Sequence, residues 1–563
     1  AKSKEPDHRV HSHSPFRYKF KIVVTFLREI LSEMLQASII VSTVLMVVSV
    51  VLAHQPPIDV HVPETFSSTN RFLMTGLGMP LTSDAVPREE LDPNFWRRSA
   101  NEELQKRLRN PLNTNKAKNV IFFLGDGMPL TTVAAARILK GQREGRPGEE
   151  SQLSFEKFPY IGLSRTYCTN AQVPDSACTS TAYLAGVKTN ILSLGVGPNV
   201  EYNDCKASMD PANDLTSLYD WAQAAGKSTG FITTTSLTHA SPTGGYAHVS
   251  NRLWESDTDT RNYLGDDYTP ACKDIAQQLV TEEPGRKLDF IMGGGIGKFL
   301  PKTMIDPFGK PGERSDGKNL LSEWQRRHQG GVFVSSRKQM NAINLEKTSS
   351  ILGIFQSKLM NFHHHATETE PTLSEMTEKA IKFLSKNKNG YFVFIEGGLI
   401  DYGNHQNMPG ISLDETIELE KAVDLARRMT DPEDTLIVVS ADHAHPLSIS
   451  GYPERGNDIL GLNNMGVDSN GVSYATLNYA VGPKQYLDEN GERKELHGQF
   501  GGNPDFIFPS YIKAAMGNHA GDDVGVWASG PHAHLFTGHL QQNTLPHLMA
   551  YAACIGEGAK CCD

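Results

Sequence analysis

The sequence predicts an α/β fold: one large, mostly parallel central sheet with helices on both faces. Three observations predict it. Six continuous apolar runs, rich in β-branched and aromatic residues, recur along the chain. Amphipathic helical patterns separate them, and strands covered on both faces read as unbroken apolar stretches rather than alternating ones. Most of the runs end in an acid, a histidine or a serine beside small residues, where open α/β sheets build their sites.

The elements follow in order. Residues 54 to about 115 read as a polar arm with Pro and Arg, carrying the helix NEELQKRLRN (101–110). The predicted strands are KNVIFFLGD (118–126), STGFITTT (228–235), LDFIMGGG (288–295), GYFVFIEGG (390–398), TLIVVSADH (435–443) and DVGVWASG (523–530). Between them, SLYDWAQAAG (217–226), ACKDIAQQLV (271–280), LSEMTEKAIKFLSKN (373–387) and ISLDETIELEKAVDLARRM (411–429) carry helical periodicity. From 451 to 516 the pattern breaks into Gly-, Asn- and Asp-rich sequence, which predicts an inserted subdomain.

A hydrophobic fraction of 39% and a charged fraction of 21% place the chain among ordinary globular proteins. The net charge of −10 over 563 residues is mild, and no long basic run follows residue 30. Nucleic-acid binding therefore has no electrostatic footprint, and an anionic substrate must be attracted locally. Ala37 to Ala53 is uncharged, ends in the small Ala53 and is followed by Pro56-Pro57. These features predict a cleaved secretory leader over residues 1–53 and a folded domain over 54–563. Seventeen apolar residues are marginal for a bilayer span, so a signal anchor is the alternative. Seven cysteines fit a secretory, disulfide-permissive route, while the lack of any N-x-Ser/Thr sequon counts mildly against it.

Five clusters carry the chemistry: LGDG (124–127), VPDSACTSTAYLAG (173–186), THASP (238–242), IEGGLIDYGNHQ (395–406) and SADHAH (440–445). His519 follows in GNHAGDD (517–523). Ser176 opens a helical run, where unpaired backbone N–H groups and the helix dipole suit a phosphoryl anion. Taken alone, an N-cap serine is the better reading of that position. No G-x-S-x-G elbow is present, so metal activation of the hydroxyl is the more natural route than a hydrolase triad. Asp126, Glu396, Asp442 and His443 end strands, and Asp401 and His405 share a face if one helical turn follows. Carboxylate with imidazole suits Zn²⁺, and carboxylate with hydroxyl oxygens suits Mg²⁺. Any one of these residues reads best as a cap or a solvated acid; together they point to a polynuclear metal site. Arg252 can clasp two phosphate oxygens with its planar fork. His363-His364-His365 reads as solvated surface.

On these motifs the chain resembles the animal membrane-bound-type alkaline phosphatases over roughly residues 60 to 563. The specific matches are VPDSACTSTAYLAGVK (173–188) and the pairs Asp401/His405 and Asp442/His443. The resemblance implies a phosphate monoesterase with an alkaline-phosphatase-like fold and 451–516 as its crown. It implies Ser176 as a nucleophile that becomes phosphorylated, and Arg252 as the phosphate clamp. One zinc would lie on Asp126, Ser176, Asp442 and His443, and a second on Asp401, His405 and His519. Magnesium would lie on Asp126, Ser241 and Glu396. A calcium site, common in animal members, would draw on Phe355, Gln356 and Glu370; Gln356 replaces an acid there and leaves calcium open. A homodimer, Cys205–Cys272 and Cys554–Cys561 disulfides, and a cell-surface or extracellular location are implied as well. A glycolipid-anchored form would need an apolar C-terminal tail, and the sequence given stops at Cys561-Cys562-Asp563.

Departures from the family are Tyr402 and Asn404 in place of His, Cys178 in place of Gly and Cys168 in place of Asn. Tyr402 is expected to shift activity or its pH optimum without loss of zinc. The two added cysteines bracket one motif, which suggests a third disulfide against the alternative of two unrelated buried thiols. A diesterase or sulfatase of the wider superfamily is the rival enzyme reading, but a Thr nucleophile and C/S-x-P-x-R are both missing.

Overall fold

A computed structural model describes residues 87–496 and 502–561. The predicted leader (1–53) lies outside the described residues. Fifteen strands occur among them. β1 (Asn119–Gly125), β2 (Tyr160–Arg165), β3 (Ser228–Ser236), β4 (Phe290–Gly294), β5 (Val332–Val334), β6 (Ile351–Ile354), β7 (Tyr391–Gly397) and β8 (Thr435–Ala441) come first. β9 (Leu447–Ile449), β10 (Leu462–Val467), β11 (Ser473–Ala475), β12 (Leu477–Gly482) and β13 (Ser510–Lys513) follow, and β14 (Val524–Ser529) and β15 (Gly538–Gln541) return to the main sheet.

Ten strands form that sheet in the order β15-β2-β14-β8-β1-β7-β3-β4-β6-β5. Every neighbouring pair is parallel except those of β14, which runs antiparallel to β2 and β8. The reason for the unbroken apolar runs is visible in β1. Val120, Phe122 and Leu124 enter one core with Phe392, Phe394, Leu436 and Val438. Ile121 and Phe123 enter a second core on the other face with Val393, Ile395, Ile437 and Val439. Alternate side chains thus feed two cores, and each fully buried Phe contributes about 1.5–3 kcal/mol.

The predicted helices are present, with boundaries set by caps. The first runs over Pro93–Leu108, longer than expected, because Asp92 accepts from the Asn94 N–H and Pro93 fits the first turn. The 271–280 helix starts only at Ile275, where Asp274 caps it. The 373–387 helix is Leu373–Leu384, and the 411–429 helix opens at Pro409.

Within 451–516, β10 pairs with β11, and β12 and β13 join β9 in a three-stranded sheet. Among the described residues this segment contributes no strand to the main sheet. The His run differs in part from expectation: His364 and His365 are exposed, but His363 is half-buried between Asp414 (2.7 Å) and Glu418 (3.5 Å). The Pro409–Met429 helix brings both acids to it.

Candidate active site

The site lies at the carboxyl ends of four adjacent strands. In the β8-β1-β7 register, Leu124 is paired with both Ser440 and Glu396. The next residues of β1 and β8 therefore carry Asp126 and Asp442 to the same rim as Glu396. β3, next to β7, leads into the turn that holds His239 and Ser241.

Ser176 begins a helix over Ser176–Ala185. The cap is Asp175, whose carboxylate accepts from the Ala177 and Cys178 N–H groups. That frees the Ser176 hydroxyl, which lies 3.2 Å from His443 Nε2. Tyr183 of the same helix packs on Phe122 and Phe394 and donates to the Ser241 carbonyl at 2.9 Å. The nucleophile candidate is thereby tied to β1, β7 and the β3 turn at once.

Three groups of donors converge. Asp401 and His405 sit one turn apart on the Leu399–His405 helix, 3.1 Å apart at Oδ2 and Nε2. His519 Nε2 lies 3.1 Å from His405 Nε2 and 3.6 Å from Asp401. Their Nδ1 atoms face the Gly517 and Pro174 carbonyls, which leaves both Nε2 atoms turned inward. In the second group His443 Nε2 stands 3.4 Å from Asp126 Oδ1 and 3.2 Å from Asp442 Oδ2. In the third the Ser241 hydroxyl donates to Asp126 Oδ2 at 3.0 Å, and His239 Nδ1 lies 4.0 Å from Glu396. One carboxylate, Asp126, thus points an oxygen into each of two groups.

The electrostatics call for cations. Burial pushes Glu396 and Asp442 up to about 7, and burial with the neighbouring Asp442 raises Asp126 well above the usual carboxylate range. Burial drives the His239 imidazolium down to about 3, His519 to about 4 and His443 well below its ordinary value. Against its own burial, His405 and His445 hold Asp401 far down. Asp126 Oδ1, Glu396 Oε1, Asp442 Oδ2 and His239 Nδ1 are buried with no hydrogen-bond partner. Buried carboxyls that resist ionisation without a counter-charge, beside neutral imidazoles and unsatisfied atoms, are what divalent ions satisfy as they displace the protons, so the residues present fit metal ions.

Every residue named for zinc or magnesium is brought into this rim. Two neighbours were not singled out by number, although both lie inside the quoted clusters. His445 faces Asp401 at 2.5 Å, and His239 stands between Glu396 and Arg252. Arg252 donates to Asp175 at 3.0 Å, so the cap residue next to Ser176 also aims the guanidinium. A further group, Cys168, Asp175 and Cys178, has its two sulfurs bonded to each other. That disulfide was expected, as was Cys205–Cys272, and their Cα atoms are 5.8 and 5.7 Å apart. Cys554 is disulfide-bonded; the side chains of Cys561 and Cys562 lie outside the described residues. Glu370 accepts from the Asn361 backbone and amide at 3.2 and 2.7 Å. With the neutral Gln356 within the predicted set of Phe355, Gln356 and Glu370, that leaves calcium a single acid among the three, a poor donor set for this ion.

Such a donor set on the strand ends of an α/β sheet defines a metal-dependent hydrolase. The alkaline phosphatase family profile matches residues 117–555. The chain is 42% identical to the membrane-bound alkaline phosphatase of Bombyx mori over 84% of this chain and 87% of that one. It is 42% identical to the tissue-nonspecific isozyme of Gallus gallus over 87% of this chain and 95% of that one. Among solved structures, alkaline phosphatase from the Antarctic bacterium TAB5 is 20% identical with a TM-score of 0.53 over 79% of this chain and 100% of that one. A TAB5 variant with the same TM-score of 0.53 is described with Mg bound. The chain belongs to the alkaline phosphatase family and is a phosphomonoesterase. No helix among the described residues is long and apolar enough to cross a membrane.

Proposed function

We propose that the chain hydrolyses phosphate monoesters through a phosphoserine on Ser176, at a site for two zinc ions and one magnesium. The observation that carries this reading is the divided Asp126 carboxylate, with one oxygen toward His443 and the other toward Ser241. Asp401, His405 and His519 would hold one zinc, and Asp126, Ser176, Asp442 and His443 the other, since carboxylate with imidazole suits that ion. Asp126, Ser241 and Glu396 offer oxygen only, which suits magnesium; the Mg-bound TAB5 variant lends support. When bound, the ions supply positive charge that lowers the pKa of a coordinated hydroxyl and neutralises charge on phosphoryl oxygens.

The chain's own residues do the rest. The helix cap on Asp175 leaves the Ser176 oxygen exposed to an incoming phosphorus, to which it forms a bond as the alcohol departs. Arg252, braced by Asp175 and His239, donates to two phosphoryl oxygens in the ester and in the phosphoserine alike. Nothing in this arrangement reads the alcohol part of the ester, so broad substrate range follows.

A homodimer on the cell surface or outside the cell completes the reading. The Pro93–Leu108 helix buries none of its residues and leaves Trp96, Leu104 and Leu108 exposed. The name of the Bombyx mori relative supports membrane attachment. The decisive experiment is an acid quench of the enzyme with a ³²P-labelled monoester. Label is expected on Ser176, and label on another residue, or none under burst conditions, overturns the covalent route.

A further inference from the structure

The Cys168–Cys178 bridge closes a short ring that ends in the first turn of the Ser176 helix. Two contacts leave that ring for the reaction centre, and a third holds it to the Leu192 backbone. The Pro174 carbonyl accepts from His519 Nδ1 at 2.8 Å. The Asp175 carboxylate takes Arg252 at 3.0 Å and the Leu192 N–H at 3.0 Å. Asp175 also caps the helix that begins at Ser176, and Cys178 lies in that helix's first turn. The far part of the ring is pinned separately: Thr169 bonds Asn190 at 2.6 Å, and Asn170 accepts from the Ile191 N–H at 2.9 Å. Between those anchors and the helix, the Ala171 carbonyl accepts from the Cys168 N–H at 3.1 Å, and a cavity of about 490 Å³ lies against Cys168, Ala171 and Gln172. The bridge spans that stretch.

We propose that the Cys168–Cys178 disulfide is a positioning element for phosphoryl transfer. It fixes in one ring the residues that aim Arg252, orient His519 and cap the Ser176 helix, and it renders turnover sensitive to reducing thiols. Opening it takes two electrons and two protons from a dithiol such as dithiothreitol. The S–S bond breaks, two cysteine thiols form, and the dithiol closes to its own cyclic disulfide. The 168–174 stretch is then held to the helix only through the chain and its hydrogen bonds, and shifts of about 1 Å in reacting groups cost roughly ten- to a hundredfold in rate. This inference rests on Ser176 and Arg252 having the roles given above.

The test compares wild type with C168A/C178A and C205A/C272A, each checked for zinc and magnesium content and held well below its own Tm. C168A/C178A is expected to lose about tenfold in kcat, in line with that cost of misplacement, and to bind inorganic phosphate more weakly. C205A/C272A, whose bridge joins two cysteines outside the 168–178 ring, is expected to lose thermal stability but keep kcat and phosphate inhibition. Dithiothreitol, removed and followed by restored zinc and magnesium before assay, should bring folded wild type to the values of C168A/C178A, have no further effect on that variant, and be reversed by air oxidation. Unchanged kcat and phosphate inhibition in C168A/C178A overturns the proposal. Should that variant fail to fold, wild type with both thiols shown free by alkylation and mass spectrometry decides. Full turnover in that state, or a loss that only tracks unfolding by circular dichroism, rejects the role. Label on a residue other than Ser176 in the quench experiment would instead defeat the underlying reading.

Discussion

The oxygen side and the nitrogen side of the site are built differently. Asp126 and Glu396 stand at the ends of neighbouring parallel strands, and Ser241 sits in the turn after the next strand along. Ladder hydrogen bonds fix that register, and a slip by one residue would turn every core side chain around. His405 and His519 come instead from a short helix and an irregular loop 114 positions apart, each held by one carbonyl, Gly517 or Pro174. The sheet therefore positions Asp126 and Glu396, while His405 and His519 depend on local loop geometry. The oxygen side should tolerate changes in the loops, and the nitrogen side should report them.

The largest effect sits between the two sides. Ser176→Ala removes the reacting oxygen, itself one proposed ligand of the zinc on Asp126, Asp442 and His443, and leaves the other ligands and Arg252 in place. Turnover should therefore fall on the order of a thousandfold or more while phosphate still binds. Retained turnover would place the nucleophile elsewhere. The comparison itself is sharpened by two variants measured by elemental analysis. His519→Ala should lower zinc and spare magnesium, and Ser241→Ala should do the reverse. Equal loss of both metals in either variant would show that the two sides do not act separately.

Arg252→Ala leaves both metal corners but removes the fork held by Asp175 and His239. Phosphate inhibition should weaken by roughly 1.5–3 kcal/mol, the size of a charged hydrogen bond, with kcat less affected than KM. An inhibition constant equal to wild type would reduce Arg252 to a structural ion pair.

The smallest effect lies outside the site. Hydrogen bonding to Asp414 raises His363 above the usual imidazole range against the pull of burial, with Glu418 and Glu415 adding to the rise. Arg143, facing Asp414, and Lys421, facing Glu418, complete the surroundings. A raised histidine stabilises the fold fully below its unfolded pKa of about 6.5, and that stability is lost as pH rises through the higher folded value. His363→Ala should therefore lower Tm at pH 6, by an amount corresponding to about 0.5 kcal/mol, and change it little at pH 9. Glu415, pushed up to about 8 by burial, loses stability in the same direction, between the ordinary glutamate range and that value. Glu415→Gln separates the two contributions. A Tm difference for His363→Ala that is flat with pH would remove the ion pair as its cause.

The sheet was legible because burial on both faces writes itself as continuous apolar runs, and all six predicted runs became strands. The acids at their ends were legible for the same reason, since a polar group that closes an apolar strand marks the rim. Asp401 and His405 were legible through the one-turn spacing of a helix. Helix starts were less so: Asp92 and Asp274 are ordinary cap residues whose role depends on where the preceding chain comes from. β2, β5, β6 and β15, too short or too mixed to stand out, became strands only by pairing along the sheet.

What the sequence by itself determined was the set of chemical groups and the strands that carry them. Tertiary structure decided which groups meet. It put Asp175 rather than Ser176 in the cap, which freed the hydroxyl. It turned His445 onto Asp401 and His239 onto Arg252, and it paired His363 with Asp414 where a solvated histidine was expected. The physical reason is common to these cases. Local spacing fixes neighbours only within a turn or along a strand, while hydrogen bonds between residues far apart in sequence exist only once the sheet has closed the distance.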